Sequence, residues 1–238
     1  MALVAVVAVA IWGYERDPAD PPQTPLVLLP GPGWEPLEAL GSLTVIDDGV
    51  SLASTPYDRD RFGQRWADVD RNGCDTRNDT LRRDLDELVV REGTQGCVAQ
   101  SGVLVDPYTG GEFVFERGSA RAGELHVDHV VALAAAWHKG AEGWSEEERT
   151  WFANDPMNLV VTFGHVNQSK GASDAGSWVP PDQEAWCGFA VHVVRVKQEY
   201  DLAVSAAEAS ALTGLLDTCG PDSPPLVGAG TDDVHQHE

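Results

Sequence analysis

Five polar residues fall into two short motifs whose chemistry suits the hydrolysis of a phosphodiester. His126, Asp128 and His129 lie in the first motif, and Asn167 and Lys170 lie in the second. Asp128 offers a hard oxygen ligand for Mg²⁺, and the amide oxygen of Asn167 offers another. His129 can take a proton from water, while Lys170 and the metal can stabilise charge in the transition state. Together the motifs predict a metal-assisted hydrolytic site.

The elements that must position these residues follow the order strand, long connection, strand, helix. An extended segment over 125–133 is expected to pass into an Ala-rich helix near 133–138. A second short strand is expected over 158–162, and a helix should follow from about His165. The two motifs therefore belong to neighbouring strands and to the helix after them.

The order of these motifs resembles the ββα-metal signature of HNH endonucleases. Asp-His lies in a strand, Asn-Leu-Val opens a later strand, and Asn-x-x-Lys-Gly follows in a helix. The wider segments FGQRWADVDRNGCDTRNDTL at 62–81 and HVDHVVALAAAW at 126–137 are similar to secreted actinobacterial HNH-family proteins. Those proteins share the nuclease domain found at the C-terminus of GmrSD-type restriction enzymes. The resemblance covers roughly residues 57–219.

The resemblance implies an α+β fold, a mostly helical domain around a ββα-metal (HNH or His-Me finger) core with short hairpins. It also implies a divalent cation, Mg²⁺ before Mn²⁺ or Ca²⁺, and a nucleic-acid substrate, DNA before RNA. No protein partner is inferred from the sequence.

Carried over by position, the resemblance gives each motif residue a role. His129 is the general base, Asp128 and Asn167 are metal ligands, and Asn158 braces the base and its loop. His126 falls where some HNH domains carry another acidic group near the metal. In a regular strand Asp128 and His129 point to opposite faces, so both reach one metal only if the chain bends there.

Four further residues are candidate contacts to substrate. Arg65, Arg77 and Asn78 lie in the Arg- and Asn-rich segment that the resemblance also covers, and His165 opens the helix of the second motif. We expect this segment to border the active site.

The spacing Asp68-x-Asp70-x-Asn72-Gly73, with Asp79 at the twelfth position, imitates a calcium-binding loop. Two features weaken that interpretation, because the last ligand is not Glu and Cys74 interrupts the loop. The other interpretation is a polar turn tied by Cys74.

Two other functions remain open. A zinc hydrolase could use His126, Asp128 and His129, although Glu124 stands where the first His of its H-x-H-x-D-H motif belongs. An extracellular calcium-stabilised binding module without catalysis would leave the two motifs unexplained.

Charge and cysteine content limit the class of protein. Lys and Arg total 16 and Asp and Glu total 38, for a net charge of −22, which counts against a tight non-catalytic DNA binder. Four cysteines without a C-x-x-C pair favour two disulfides over a zinc ribbon. Of three possible connectivities we favour Cys74–Cys97 with Cys187–Cys219; four buried free thiols are the alternative.

Composition also divides the chain. Residues 1–16 form an apolar signal-like or anchor segment, 17–56 a Pro- and Gly-rich linker with a short helix, 57–220 the nuclease domain and 221–238 a disordered acidic tail. A secreted or cell-surface protein is therefore expected, with no stable membrane span beyond the possible N-terminal anchor.

Several other elements are predicted by local pattern. Leucine and valine spacing predicts a helix over 80–90, and a hairpin is expected with strands at 103–106 and 112–116. An amphipathic helix is expected over 183–200. Ser145 with Glu148 and Ser205 with Glu208 predict the starts of two more helices.

Overall fold

The computed structural model describes residues 34–220 together with Ser223 and Leu226. Within this part the fold is α+β, as the sequence predicted. The signal-like segment 1–16, residues 17–33 of the linker and nearly all of the tail lie outside the described residues.

The helices and strands of the described part follow one another along the whole of its length. The α-helices are α1 Pro36–Ser42, α2 Thr76–Asp84, α3 Leu133–His138, α4 Glu146–Asn154, α5 Gly164–Lys170, α6 Trp186–Glu199 and α7 Ala206–Leu216. The strands are β1 Val45–Ile46, β2 Asp86–Val90, β3 Ala99–Val105, β4 Glu112–Glu116, β5 Leu125–His129, β6 Leu159–Phe163 and β7 Val204–Ser205.

The strands form three small sheets in the described residues. β1 and β7 pair in parallel, β2, β3 and β4 form an antiparallel meander, and β5 pairs antiparallel with β6. Asp128 of β5 lies opposite Val160, and His126 lies opposite Thr162. Helix α5 follows β6 directly and packs against both strands. The predicted strand, strand, helix unit is therefore confirmed.

The β5–β6 pair lies between two hydrophobic cores. Val160 belongs to the larger core, which includes Trp137 and Phe152, whereas its neighbour Val161 belongs to a smaller core that includes Leu81. Successive strand residues point to opposite faces. Burial on both faces therefore fixes the register of β6, because a slip by one residue would exchange the two sets of side chains.

Helices α4 and α5 have well-defined ends. The Ser145 hydroxyl accepts the Glu148 N–H and the Glu148 carboxylate accepts the Ser145 N–H, so the predicted capping box is confirmed. Helix α5 stops at Lys170 because Gly171 takes a φ of 55°, in the left-handed region that favours glycine. These ends fix the position of the last carbonyls of α4 and the position of Lys170 at the end of α5.

The helix predicted over 80–90 is wrong in its second half. Helix α2 ends at Asp84, and Asp86–Val90 is strand β2, which pairs with β3. Leu81 and Leu85 are buried in the smaller core, so their spacing is helical only over the first turns. The β-branched Val89 and Val90 then pair across the sheet, where such residues pack well. The other predicted helices and the hairpin form close to where expected.

Both expected disulfides are present, Cys74–Cys97 and Cys187–Cys219. The first ties the turn before α2 to the loop before β3, and the second ties the start of α6 to the residues after α7. Among the described residues no helix is long and apolar enough to cross a membrane.

Candidate active site

The imidazole of His129 is oriented by a backbone carbonyl. Its Nε2 atom lies 2.9 Å from the carbonyl oxygen of Ala153, near the end of α4. A carbonyl can only accept a hydrogen bond, so Nε2 carries the proton and Nδ1 keeps its lone pair. Burial lowers the pKa of His129 to about 4, against the weaker effects of the Ala153 carbonyl and Asp128. The ring is therefore neutral at neutral pH and can accept a proton.

Asn158 holds the chain immediately after His129. Its side-chain oxygen accepts the Val131 N–H at 2.8 Å, and its amide nitrogen donates to the Val131 carbonyl at 3.2 Å. Its own carbonyl accepts the Val130 N–H at 2.8 Å. Asn158 is fully buried, so all three bonds are shielded from water. Asn158 therefore fixes the backbone of the two residues that follow His129.

Asp128 lies in a buried polar network. Its Oδ2 accepts a hydrogen bond from the Tyr108 hydroxyl at 2.9 Å and lies 3.0 Å from Lys170 Nζ. Lys170 also donates to the His129 carbonyl at 2.7 Å. Both Asp128 and Lys170 are buried, at 4% and 2% exposure. Burial, followed by the charge of Asp128, raises the pKa of Tyr108, which therefore remains a hydrogen-bond donor.

The three polar residues of the first motif point to different places. His126 Nδ1 lies 3.5 Å from the amide nitrogen of Asn167, Asp128 faces Tyr108 and Lys170, and His129 faces the end of α4. No group of three or more His, Cys, Asp or Glu side chains converges on one metal position in the described part of the chain. A zinc hydrolase needs three such protein ligands, so this geometry does not favour that alternative.

The donors present nevertheless suit a hard divalent cation. Rotating the Asn167 amide by 180° brings its oxygen beside His126 Nδ1, so both lone pairs can face one position. A carboxylate offers about four lone pairs, and Asp128 uses three of them on Tyr108 and Lys170. Mg²⁺ commonly takes few protein oxygens and completes its shell with water and phosphate. His126 and Asn167 therefore offer two adjacent donors to a sparsely ligated cation, whereas Asp128 faces Tyr108 and Lys170 and keeps one lone pair.

An open cleft of about 480 Å³ lies beside the β5–β6 pair and the start of α5. His126, His165 and Gln168 line one part of it, and Glu112, Arg121 and Glu124 line another. His165 is exposed and stacks on Phe163 with ring centroids 5.5 Å apart. A Cβ on Gly164 would lie 2.8 Å from His126 Nε2, so a larger residue there would displace the His126 ring.

The predicted substrate contacts have different surroundings. Asn78 is buried, donates to Asp75 and accepts from Arg117, so its amide is occupied within the protein. Arg77, on the same helix, is half-buried, and burial lowers its pKa. Arg65 is exposed in the segment before α2, and His165 lies in the cleft.

The calcium-like loop forms a hydrogen-bonded turn. Both oxygens of Asp68 accept backbone N–H groups, from Asn72 at 3.0 Å and Gly73 at 2.9 Å. Asp79 pairs with Arg82 at 3.2 Å, and burial raises its pKa to about 6. Because these carboxylates are committed to the protein itself, the geometry favours the polar turn over the calcium site.

Sequence reasoning missed three contributors to this region. Ala153 acts only through its carbonyl, which no side-chain pattern can reveal. Tyr108 lies in the β3–β4 turn and is fully buried. Arg59 begins the short 3₁₀ helix Arg59–Phe62 and affects the pKa of His129. The sequence offered a signal for Arg59 alone, in the concentration of arginines after position 57.

The comparisons with known proteins identify a family. The family described as GmrSD restriction endonucleases, C-terminal domain, matches residues 75–215, more than half of the chain. The chain belongs to this family. It therefore carries a nuclease-type domain, and the matched region of this GmrSD-family domain runs from the N-cap of α2 into α7, with both polar motifs inside it.

A curated relative is also similar. A protein from Arthroderma benhamiae described as an uncharacterized secreted protein is 39% identical over 182 residues, which is 76% of this chain and 82% of the relative. The actinobacterial part of the resemblance is not supported by these comparisons. No solved structure matches the chain.

Proposed function

We propose that this GmrSD-family domain is a divalent-metal-dependent endonuclease that hydrolyses nucleic-acid phosphodiester bonds, in DNA before RNA. The observation that carries the proposal is the His129 imidazole, which is neutral and has its Nε2 proton committed to the Ala153 carbonyl. The family's description as restriction endonucleases supports DNA as the substrate.

His129 serves as the general base through Nδ1. It takes a proton from the water that attacks phosphorus, and the resulting imidazolium still donates from Nε2 to Ala153. The carbonyl therefore orients the ring in both protonation states. Asn158 holds the residues that follow the base in place, through its bonds to Val130 and Val131.

Asn167, with His126 beside it, would hold the cation, Mg²⁺ before Mn²⁺ or Ca²⁺, and Asp128 would join them through its one remaining lone pair. When bound, the cation would stabilise negative charge on the phosphate and on the leaving 3′-oxygen. Lys170 is a positioning residue, because its ammonium is buried between the Asp128 carboxylate and the His129 carbonyl.

We also propose an extracellular location. Two disulfides are typical of oxidising compartments, both are formed here, and the relative from Arthroderma benhamiae is described as secreted.

Cleavage of supercoiled plasmid, linear duplex DNA and RNA tests the proposal, with EDTA, Mg²⁺, Mn²⁺ and Ca²⁺ compared in parallel. We expect cleavage that EDTA abolishes and Mg²⁺ restores, with 5′-phosphate and 3′-hydroxyl ends. Absence of cleavage of every nucleic acid with every metal would overturn the function, and metal-independent cleavage would overturn the mechanism.

A further inference from the structure

An arginine-rich segment, residues 57–67, is fixed against the helix that orients His129. The fully buried Asn154 of α4 donates from its amide to the Gln64 carbonyl at 3.1 Å and accepts the Ala67 N–H at 3.0 Å. The 3₁₀ helix Arg59–Phe62 packs against the same helix, and Phe62 is buried in the larger core. Asn154 directly follows Ala153, so the segment lies beside the carbonyl that holds the base.

Contact between this segment and α4 is close. Gly63 takes a φ of 68°, and a Cβ at that position would lie 2.1 Å from the Thr150 hydroxyl. Arg149 donates to the Arg61 carbonyl at 2.8 Å. A side chain carried by this segment therefore has a defined position relative to α4 and His129.

Arg59 and Arg65 have no ion pair or hydrogen bond to any described residue, although the chain carries a large excess of carboxylates. Arg83, in contrast, binds Asp84 and two backbone carbonyls. Arg59 is half-buried. A partly desolvated guanidinium without a protein acceptor is a favourable place for an external anion.

The charges of this segment act on one another and on the base. Burial lowers the pKa of Arg59, and the nearby Arg65 lowers it further. Burial is the main cause of the low pKa of His129, and the positive charge of Arg59 lowers that pKa further. Burial raises the pKa of Tyr57, whose ring packs on Phe62, and the positive charges of Arg59 and Arg65 partly offset that rise. Arg59 is therefore an electrostatic neighbour of His129, and Tyr57 and Arg65 are electrostatic neighbours of Arg59.

We propose that Arg59 and Arg65, with the hydroxyl of Tyr57, form a phosphate-binding subsite that holds the nucleic-acid backbone next to His129. This proposal rests on the proposed nuclease function and adds a substrate contact outside the family-matched residues 75–215. A local pair of guanidiniums accounts for how a chain of net charge −22 can bind a polyanion.

Binding of a fluorescein-labelled DNA duplex, measured by anisotropy in Mg²⁺ between 50 and 200 mM KCl, tests the subsite. The measurements use the His129→Gln variant, so that the DNA is not cut, with and without Arg59→Ala or Arg65→Ala. Each added substitution should weaken binding by about tenfold and reduce the salt slope by about one. A merely structural arginine would not change the salt slope in this way.

Arg195→Ala is the matched control. Arg195 is a half-buried arginine on α6 whose charge lowers the pKa of His192, as that of Arg59 does for His129. The control should leave both affinity and salt slope unchanged. Equal affinities and slopes for Arg59→Ala and Arg195→Ala would overturn the subsite. Failure of the nuclease function would appear separately, as absence of plasmid cleavage by the parent protein.

Discussion

The Nε2 atom of His129 lies 2.9 Å from the carbonyl oxygen of Ala153, the penultimate residue of α4. A histidine on a strand is thereby oriented by the backbone of a helix 24 residues later in the chain. The helix is in turn fixed by its capping box and by the contacts of Asn154 to the arginine-rich segment. Three separate parts of the sequence thus define the position of one imidazole.

The first prediction concerns the pH dependence of cleavage. The pKa of His129 is about 4, so its neutral, proton-accepting form persists well below the ordinary histidine value. The acid limb of kcat/KM should therefore lie near pH 4, with the rate falling as the pH drops through it. Rates should be measured with tryptophan fluorescence at each pH to confirm that the protein stays folded. An acid limb near pH 6.5 in folded protein would contradict the assignment.

The second prediction concerns the buried ion pair. Lys170→Met should lower the free energy of unfolding by roughly 3–5 kcal/mol, because it leaves the Asp128 carboxylate buried without its cation. Adding Asp128→Asn should recover part of this loss. Urea denaturation of both single variants and the double variant measures the coupling. Strictly additive effects would show that the pair does not interact as the structure indicates.

The third prediction concerns the disulfides. The secreted protein should show four cysteines without free thiols by non-reducing mass spectrometry. Replacing either pair by serine should lower the free energy of unfolding by about 3 kcal/mol, since each bridge closes a loop of moderate length. Full alkylation of the native protein would contradict both bridges and the export argument.

Local signals in the sequence were sufficient to predict most elements of the site. Short apolar segments predicted β5 and β6, and Ser145 with Glu148 predicted the start of α4. These signals depend on residues close together in the chain. The same kind of signal failed after Leu85, where the helical spacing continues in the sequence but Asp86–Val90 pairs with β3 as a strand.

Partners that are distant in the sequence could not be predicted in this way. Tyr108 and Lys170 reach Asp128 from 20 and 42 residues away, and they convert a predicted open ligand into a buried, paired carboxylate. Arg59 and Arg65 lie in one arginine-rich segment, and only the fold shows that Arg59 approaches His129.

The fourth prediction concerns the metal. Asn167→Ala should weaken Mg²⁺ or Mn²⁺ binding by about tenfold or more in calorimetry, since its amide is a proposed ligand. Gln168→Ala, one residue later on the same helix and exposed, is the control and should bind as the parent does. For the other ligand Asp128→Asn is preferable to alanine, because it keeps a partner for Tyr108 and Lys170. Parent-like affinity in both ligand variants would make the assignment wrong.

The most direct test of the account compares His129→Gln with His192→Gln. Glutamine keeps an N–H that can donate to the backbone carbonyl but cannot accept a proton at neutral pH. His192 is the matched control, a buried histidine whose Nε2 also contacts a backbone carbonyl, that of Met157, and whose pKa is also about 4. Thermal melting verifies that both variants are folded. Plasmid cleavage in Mg²⁺ should fall by about 10²–10⁴ in His129→Gln and stay near the parent rate in His192→Gln. Parent-like cleavage by folded His129→Gln would contradict the central claim.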